Sequence, residues 1–505
     1  MAEEIELKLT APRDVLAAVP SHPAVTAVAR GRPRTTRLST TYYDTPNRDL
    51  AAAGVALRIR RADGRWLQTV KGAGAVAAGV HRRAEYEWPL PSPRLDRAKL
   101  ALTPWRKLFE DGGGYRRVFA TEVRRSEQPL AFADGTTATL CLDVGEIRAG
   151  RRRAPVSEIE VELEAGDPSR LYELASALTA DLPLRIEHAS KAARGYELAG
   201  DSAPEPRHAR DIALPRDATV SAALAALGAE CVAQLEVNAA AMRRESDAEY
   251  LHQLRVGWRR LRSLLKIAAP IAPADKIDAL DSELSWLGSQ LGPARDYDVF
   301  ALETLPKIAA DFRGEPGVRR LRARAAARRR KARTLAREAA ASTRLQKLLI
   351  ELGAFFAALG PGSHASPLAR DWIRPLLDER HEKLRKRARH AHRLGPEERH
   401  KARVAAKQLR YVAEFFATLF SGKAADAYTS ALSKLQSSLG RLNDLAVARR
   451  LIDEIAPRDD SVEGVAHAGG VVRGWLAASE GSELRRLRDV QRSFRRCRPF
   501  WSDRG

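Results

Sequence analysis

Cysteine is scarce in this chain, with three residues in 505. Cys141, Cys231 and Cys497 are far apart and odd in number, which excludes a disulfide framework and a cysteine-rich metal site and predicts a reducing, cytoplasmic environment. No long apolar run follows the acidic N-terminus, so we expect neither a signal peptide nor a membrane-spanning helix. A chain of this length exceeds one ordinary core, and two or three domains are expected.

Acidic residues are also in short supply. The chain has 64 Asp and Glu against 86 Lys and Arg, which gives a formal net charge of +22. This excess predicts a polyanionic partner, which could be nucleic acid, an anionic membrane or polyphosphate. The net charge is +5 over residues 1–200 and +17 over the remainder, so most of the excess lies in the second part.

The composition changes near residue 200. Residues 1–200 contain short alternating segments broken by Gly, Pro and Asp, whereas the sequence from 218 onward is rich in Ala, Leu and Arg with helical periodicity. The proline-containing stretch between them is typical of a linker. The sequence therefore predicts a β-rich domain at 1–200, a linker at 201–217 and a helical domain at 218–505.

Charged side chains occupy every second position of several predicted strands. They are Glu4, Glu6 and Lys8; Arg58 and Arg60; Glu85 and Glu87; and Glu158, Glu160, Glu162 and Glu164. One such strand usually has a solvated charged face, but several strands of a single sign favour a closed antiparallel barrel with its charges inside and outer helices over its apolar face. In that barrel, Arg and Lys would bind triphosphate oxygens, and glutamates would bind Mg²⁺ or Mn²⁺.

An ordered series of motifs resembles the CYTH domains, the triphosphate tunnel metalloenzymes. The series begins with ExExK at 4–8 and continues with YYDTP at 42–46, LRIR at 57–60, QTVK at 68–71, LDVG at 142–145, SEIEVELEAG at 157–166 and SKAARGYEL at 190–198. The resemblance covers essentially all of residues 1–200. It implies a tunnel that binds triphosphate and hydrolyses or transfers it with a divalent metal.

The same resemblance implies roles for individual residues. Phosphate binding is expected from Lys8, Arg58, Arg60, Lys71, Arg125, Lys191 and Arg194, and metal binding from Glu4, Glu6, Glu158, Glu160 and Glu162. Catalysis is expected from Glu4, Glu6 and Lys8, with either a glutamate or the lysine acting on the attacking water. Glu85 and Glu87 are expected to pair with tunnel arginines.

A repeated block marks the second part of the chain. The pattern H-x-x-R-V-x-x-[RK]-x-L-R begins at His252 and again at His400, 148 residues later. The blocks that begin at Ser285 and Ser433 share this offset, so we expect two related helical bundles, at about 218–360 and 366–505. At about 100° per residue, the basic residues of each histidine block form one stripe along a helix. A single basic stripe is usually solvated, but two related stripes predict one surface for a long polyanion.

These blocks resemble the CHAD domain, a conserved-histidine α-helical domain. The resemblance implies binding of inorganic polyphosphate by His252, Arg255, Arg259, Arg262, Lys266, Arg295, His400, Arg403, Lys407 and Arg410. In the block that begins at Ser433, Asn443 replaces Arg295 and Ala446 replaces Asp298. This second block is therefore expected to be mainly structural. Residues 319–337 contain no acidic residue and would either extend the polyphosphate surface or bind nucleic acid nonspecifically.

Together these features predict an α+β multidomain protein, with an N-terminal closed antiparallel β-barrel tunnel and a C-terminal all-α domain of two related bundles. The expected function is an inorganic triphosphatase that depends on Mg²⁺ or Mn²⁺ and hydrolyses tripolyphosphate, with a C-terminal domain that binds inorganic polyphosphate. We expect it in the cytoplasm, associated with polyphosphate granules and without a membrane partner. Three alternatives stay open at this point: a class IV adenylate cyclase or other nucleoside or organic triphosphate-processing enzyme, a non-enzymatic polyphosphate-binding scaffold, and a nonspecific nucleic-acid binder.

Overall fold

A computed structural model describes residues 2–72, 74–111, 114–200, 205–312, 314–360, 366–420, 422–462 and 464–502. The chain forms two compact units. Unit 1 comprises Met1–Pro206 and Ser342–Ala358, and unit 2 comprises Arg207–Ala341 and Leu359–Gly505. This division differs from the sequence-derived boundaries at 342–358, which lie within the predicted helical domain. Residues 201–204 of the predicted linker lie outside the described residues.

Unit 1 is built on ten strands. They are β1 (Ala2–Thr10), β2 (Arg34–Asp44), β3 (Ala56–Ala62), β4 (Arg65–Lys71), β5 (Ala75–Ala77), β6 (Val80–Leu90), β7 (Arg116–Ala131), β8 (Thr137–Ala149), β9 (Arg152–Ala165) and β10 (Arg185–Ile186). The antiparallel order β1-β9-β8-β7-β2-β3-β4-β6 returns to β1 through the β1–β6 pair, while β5 and β10 add to the outside of this ring. The predicted closed antiparallel barrel is therefore confirmed, with eight strands in the ring.

Short helices surround this barrel. They are α1 (Arg13–Ala18), α2 (Pro23–Thr26), α3 (Asp49–Ala52), α4 (Arg97–Leu100), α5 (Arg106–Asp111), α6 (Ser169–Asp181) and α7 (Lys191–Ala199). The period of two explains why they are needed, because Leu7 and Leu9 on the outer face of β1 are fully buried. On the covering side, α6 buries Leu171, Leu174 and Leu178, which share one face of a helix at spacings of three and four.

A helix from far along the chain completes unit 1. This helix, α13 (Thr343–Ala358), packs against α6. The backbone N–H of Ile186 donates to Gln346 Oε1 at 3.0 Å, which satisfies an edge group of β10. Gly353 lies so close to Tyr172 and Ala78 that a Cβ at this position would stand 2.4 Å from the Ala78 Cβ.

Unit 2 contains the remaining long helices. They are α8 (Val220–Met242), α9 (Ala248–Ala268), α10 (Ala274–Val299), α11 (Leu305–Asp311), α12 (Pro316–Ala341), α14 (Ala369–Ala388), α15 (Pro396–Phe416), α16 (Gly422–Ile455) and α17 (Val465–Phe494). The first bundle is formed by α8, α9, α10 and α12, and the second by α14, α15, α16 and α17. The predicted all-α region of two bundles is confirmed.

One sequence difference between the two related bundles, Asp298 in the first and Ala446 in the second, has a structural reason. Asp298 is fully buried and accepts hydrogen bonds from Arg329 at 2.6 Å and Arg333 at 2.8 Å. At the same offset of 148 residues, the arginines correspond to alanine and glycine at 477 and 481. Without these cations a buried carboxylate would be uncompensated, which is consistent with alanine at position 446.

Among the described residues, α8 has the length and composition of a membrane-spanning helix, with a mean hydropathy of 1.4 over its most apolar window. Of that window, 67% is buried inside the structure. Its apolar side chains are therefore largely used in the core of the first bundle.

Candidate functional site

The interior of the barrel holds a cavity of about 470 Å³. Its lining includes ten residues predicted from the sequence: Glu4, Glu6, Lys8, Arg58, Arg60, Lys71, Arg125, Glu160, Glu162 and Lys191. Two other predicted residues, Glu158 and Arg194, do not line the cavity but pair with each other beside it. The period of two thus places charges from β1, β3, β4, β7 and β9 on one inner surface.

Strand register brings like charges together on this surface. Glu6 of β1 lies opposite Glu162 of β9, and Lys8 lies opposite Glu160. Two carboxylates directly opposite each other repel, and Arg83 of β6 compensates by contacting Glu6 and by donating to Glu4 at 2.9 Å.

The first acidic group of the cavity comprises Glu4, Glu6 and Glu162, whose carboxylates can bring ligand atoms within 4.8 Å of one another. Burial alone would raise the pKa of Glu4, but Lys71 and Arg83 outweigh it and hold that pKa well below its usual range. Burial raises the pKa of Glu162. Hard carboxylate oxygens at this spacing suit a divalent cation such as Mg²⁺ or Mn²⁺.

The second acidic group comprises Asp143, Glu158 and Glu160, all of which are buried. Lys191 lies 2.7 Å from Asp143 and 2.6 Å from Glu158, and Arg125 donates to both carboxylate oxygens of Asp143. The structure therefore distributes the five predicted metal ligands between two groups. The first contains Glu4, Glu6 and Glu162, and the second contains Glu158 and Glu160.

Arg58 and Arg60 of β3 form the part of the cavity with the fewest acidic partners. Arg58 has one ion pair, with Glu85 at 3.3 Å, and Arg60 has none within the described part of the chain. The Nε atoms of both guanidinium groups are buried without a hydrogen-bond partner there. Burial lowers the pKa of Arg60, and the neighbouring Arg58 and Arg125 lower it further. Such donors are available for phosphate oxygens.

The predicted partners of the tunnel cations are found in part. Glu85 pairs with Arg58 and, at 3.1 Å, with Lys71. Glu87 instead accepts a hydrogen bond from the hydroxyl of Thr69 at 3.0 Å, and no ion pair with a tunnel arginine is found for it among the described residues.

Sequence reasoning did not assign two residues that the structure places in the cavity, Arg83 and Asp143. Arg83 precedes Glu85 and Glu87 at the same period of two, so the alternation could have identified it. Asp143 lies in the LDVG motif, but its role depends on Arg125 and Lys191 from two other elements. No local pattern contains that information.

Unit 2 contains its own cavity, of about 740 Å³. Nine of the ten residues predicted to bind polyphosphate line it: His252, Arg255, Arg259, Arg262, Lys266, Arg295, His400, Arg403 and Lys407. The two basic stripes, on α9 and α15, therefore face one space. Tyr411 also lines the cavity, and its hydroxyl accepts a hydrogen bond from Arg259 Nε at 3.0 Å.

Arg410 does not line this cavity. It pairs with Glu414 at 3.4 Å, one turn later on the same helix. At about 100° per residue, Arg410 lies about 80° around α15 from His400, whereas Tyr411 lies about 20° from it. Arg410 is therefore the member of the predicted stripe that the structure does not bring to this cavity.

The cations of this cavity differ in whether a carboxylate forms a salt bridge with them. Arg262 makes two bonds of 2.8 Å to Asp281, and Arg295 lies 3.3 Å from Glu303. In the described part of the chain no ion pair is formed by Arg255, Arg403 or Lys407. Burial lowers the pKa of Arg255 to about 10, with Arg259 adding to the effect.

The block that begins at Ser433 contacts the basic stripe of α15 at one residue. The His400 ring lies 3.1 Å from Asn443 Oδ1 through Nδ1, at the place where the first half has Arg295 beside His252. Both asparagine and arginine line the cavity, so the block contributes to its wall in both halves.

The basic helix at 319–337 obtains its counter-charges from other elements. Arg324 contacts Asp460, Arg329 and Arg333 contact Asp298, and Arg337 donates to the backbone of Glu245 at 3.2 Å. The absence of acidic residues within the segment therefore does not leave all of its arginines free.

Comparison with known families agrees with both units. The CYTH domain profile matches residues 2–196, and the CHAD domain profile matches residues 226–453. The chain joins a CYTH domain to a CHAD domain. The barrel cavity lies in the CYTH domain, and the residues lining the second cavity belong to the CHAD match.

Two relatives extend this comparison. Over 200 residues, or 39% of this chain, the chain is 32% identical to the inorganic triphosphatase of Haemophilus influenzae, and the match spans 55% of that relative's length. The crystal structure of the CHAD domain from the plant Ricinus communis is 35% identical, with a TM-score of 0.51 over 57% of this chain and 97% of that domain.

Proposed function

We propose that the CYTH domain is a divalent-metal-dependent inorganic triphosphatase that hydrolyses tripolyphosphate in the barrel cavity. The observation that carries this proposal is that one cavity contains both the sparsely paired guanidinium groups of Arg58 and Arg60 and the clustered carboxylates of Glu4, Glu6 and Glu162. A triphosphate with its metal needs both kinds of group within one cavity. The similarity to an inorganic triphosphatase supports the same reading.

The chain's own residues would act by binding and positioning. Arg58 and Arg60 would donate to phosphate oxygens that carry increasing charge in the transition state. Lys8 is held between Glu6, at 3.1 Å, and Glu160; burial would lower its pKa, but these two carboxylates raise it above its ordinary value. A charged Lys8 would orient water or phosphate by donating hydrogen bonds, and it would not remove a proton.

The carboxylates suit Mg²⁺ or Mn²⁺, which prefer hard oxygen ligands. Glu4, Glu6 and Glu162 would hold the ion, which when bound polarises phosphoryl oxygens and neutralises part of their charge. Lys71 and Arg83 now occupy the oxygens of Glu4, so binding of the metal and the substrate would exchange these ion pairs for phosphate contacts.

The test is phosphate release from tripolyphosphate with Mg²⁺ or Mn²⁺ and again with EDTA. Glu4→Gln/Glu6→Gln is expected to abolish metal-dependent release. Glu164→Gln is the matched control, because Glu164 is exposed on β9 and does not line the cavity. Absence of release from folded native protein would refute the proposal, and ATP assayed in parallel would show whether a nucleotide is the better substrate.

For the CHAD domain we infer that its cavity binds inorganic polyphosphate. Arg255, Arg403 and Lys407 face one space and form no salt bridge in the described chain, and the cations of this cavity outnumber its two carboxylates, Asp296 and Asp444. Such charges are costly to bury unless an anion offsets them. We expect long-chain polyphosphate to compete effectively with DNA at matched salt. Arg403→Ala should weaken binding, while Arg410→Ala, on the same helix but outside the cavity, should not.

This binding also underlies two further proposals, a cytoplasmic location and association with polyphosphate granules. A fluorescent fusion would co-localise with granules in cells that store polyphosphate. Granule association should be lost in the Arg255→Ala/Arg403→Ala variant, and its persistence there would assign localisation to another surface.

A further inference from the structure

Lys407 lies within a cluster of cations in the CHAD-domain cavity. Arg255 and Arg259 of α9 and Arg403 of its own helix repel its charge, and Asp444 of α16 is the acidic group that acts on it. The other charged and titratable groups of the cavity are His252, Arg262 and Lys266 on α9, Arg295 and Asp296 on α10, His400 and Tyr411 on α15, and Arg441 on α16. Within the described residues, the Lys407 side chain forms neither a salt bridge nor a hydrogen bond.

These surroundings disfavour the charged amine. Burial lowers the pKa of Lys407 to about 6, and the repulsion from Arg259, Arg403 and Arg255 contributes to this shift. Among the four groups, lysine is the one that can lose its proton, because arginine remains charged in proteins. Loss of the Lys407 proton would therefore relieve the repulsion among these four groups.

We propose that the CHAD-domain cavity takes up a proton at Lys407 when a phosphate chain binds, so that polyphosphate affinity falls as pH rises. The inference rests on the polyphosphate binding proposed above and adds a regulatory property to that site. A bound phosphate oxygen beside the amine offsets the repulsion from the three arginines, and the ammonium form supplies three donors.

The direction of the effect follows from linkage. The bound state holds the proton more tightly than the free state, so raising the pH penalises binding. From about pH 6 up to the pKa of Lys407 in the complex, one such group lowers affinity by up to about tenfold for each pH unit. Interior phosphates of a long polyphosphate keep a single negative charge over this range, so the ligand itself contributes little to the dependence.

His252 is the competing site for proton uptake. Burial lowers its pKa to about 4, and Arg295 adds to the effect. A phosphate chain would have to raise this pKa further than that of Lys407 to cause uptake above neutral pH. Variants at the two positions separate the contributions.

The experiment is calorimetric titration of the full chain with long-chain inorganic polyphosphate in EDTA at about pH 7.5, in two buffers of different ionisation enthalpy. The native chain should take up about one proton more per occupied CHAD site than Lys407→Arg. Lys407→Arg should bind at least as tightly as the native chain at about pH 8.5, whereas Lys407→Met should stay weak at every pH. Arg410→Ala should retain the native proton uptake. Any proton uptake or release that accompanies polyphosphate binding in the barrel is common to all four proteins.

Each result decides a separate point. Tight native binding with equal heats in both buffers would overturn the proton uptake while leaving polyphosphate binding intact. Full uptake in Lys407→Arg that disappears in His252→Gln would assign the proton to the histidine and also overturn the inference. Absence of native binding at about pH 6 would refute the polyphosphate proposal and, with it, this one.

Discussion

Individual charges are compensated differently in the two cavities. In the barrel, Lys8 and Arg125 each contact more than one carboxylate. In the CHAD domain, Arg255 and Arg403 form no salt bridge within the described residues, and Asp296 and Asp444 are the two carboxylates that line their cavity. A carboxylate-rich lining suits a ligand that arrives with a metal cation, whereas an excess of cations over carboxylates suits a bare polyanion. This difference between individual residues is consistent with the metal site and the polyanion site proposed for the two cavities.

Arg60 is expected to bind substrate. Replacing it with alanine removes charged donors that have no acidic partner, so we expect the KM for tripolyphosphate to rise by roughly 10- to 100-fold with a smaller change in kcat. Arg61→Ala is the matched control, since this neighbour faces away and stacks over Trp66 at 5.5 Å. Equal effects of the two substitutions would argue against a phosphate-binding role for Arg60.

The buried carboxylates predict sensitivity of unit 1 to acid. Arg125 and Lys191 overcome the effect of burial and hold the pKa of Asp143 below its ordinary value, and Lys191 and Lys8 do the same for Glu160. Groups with lowered pKa stabilise the fold above their ordinary values, and this stability is lost as pH falls through the lowered values.

Thermal unfolding between about pH 7 and about pH 3 would therefore show progressive destabilisation below about pH 5. Asp143→Asn should lower the melting temperature at neutral pH and reduce this dependence. A native melting temperature that stays constant down to about pH 3 would contradict the assignment.

At the scale of elements, helix α13 belongs to the CYTH barrel although its sequence lies within the CHAD match. It covers α6 and accepts the backbone N–H of Ile186 in β10. Ile186 pairs with Leu9 of β1, the strand that carries Glu4, Glu6 and Lys8. A strand of the proposed catalytic surface is thus supported by a helix more than 330 residues later in the chain.

Two glycine substitutions test this packing. Gly353→Ala in α13 would place a Cβ against Ala78 and Tyr172, so we expect a loss of about 1–3 kcal/mol in unfolding free energy of unit 1. Gly474→Ala in α17 meets nothing within 4 Å and should stabilise unit 2 by up to about 1 kcal/mol through helix propensity. Denaturation monitored in both variants checks the opposite signs, and stabilisation by Gly353→Ala would mean that α13 does not pack as described.

At the scale of the whole molecule, positive charge is concentrated in the CHAD region. The net charge is +17 beyond residue 200 and +5 before it. Charge attraction between exposed groups is screened by salt, whereas enclosed ion pairs are screened less. The two proposed activities should therefore respond differently to ionic strength.

Raising salt from about 50 to about 200 mM should weaken polyphosphate binding at least tenfold, because bound counterions are released when a polyanion binds. The KM for tripolyphosphate should change by a smaller factor, since the barrel cavity is more enclosed and its net charge is more balanced. Binding measured by fluorescence anisotropy and phosphate release measured in the same buffers make the comparison. Equal salt dependence would contradict the assignment of the two ligands to different cavities.

Much of this architecture follows from patterns that neighbouring residues carry. Alternation at a period of two identified the strands and their inner faces, and a helical period with an offset of 148 residues identified the duplicated bundles. These patterns are local because side-chain direction is dictated by backbone geometry. They placed Glu4, Glu6 and Lys8 on one face and both histidine stripes on helices.

Contacts between distant elements account for the rest. Four features depend on which elements meet in the folded chain. They are the separation of the glutamates into two groups, the position of Asp143 in the barrel cavity, the position of Arg410 outside the second cavity, and the packing of α13 against the barrel domain. The local environment of Lys407 is likewise assembled from α9, α15 and α16. Burial and pairwise electrostatics act between atoms brought together by folding, and for that reason the residue pattern along the chain does not contain them.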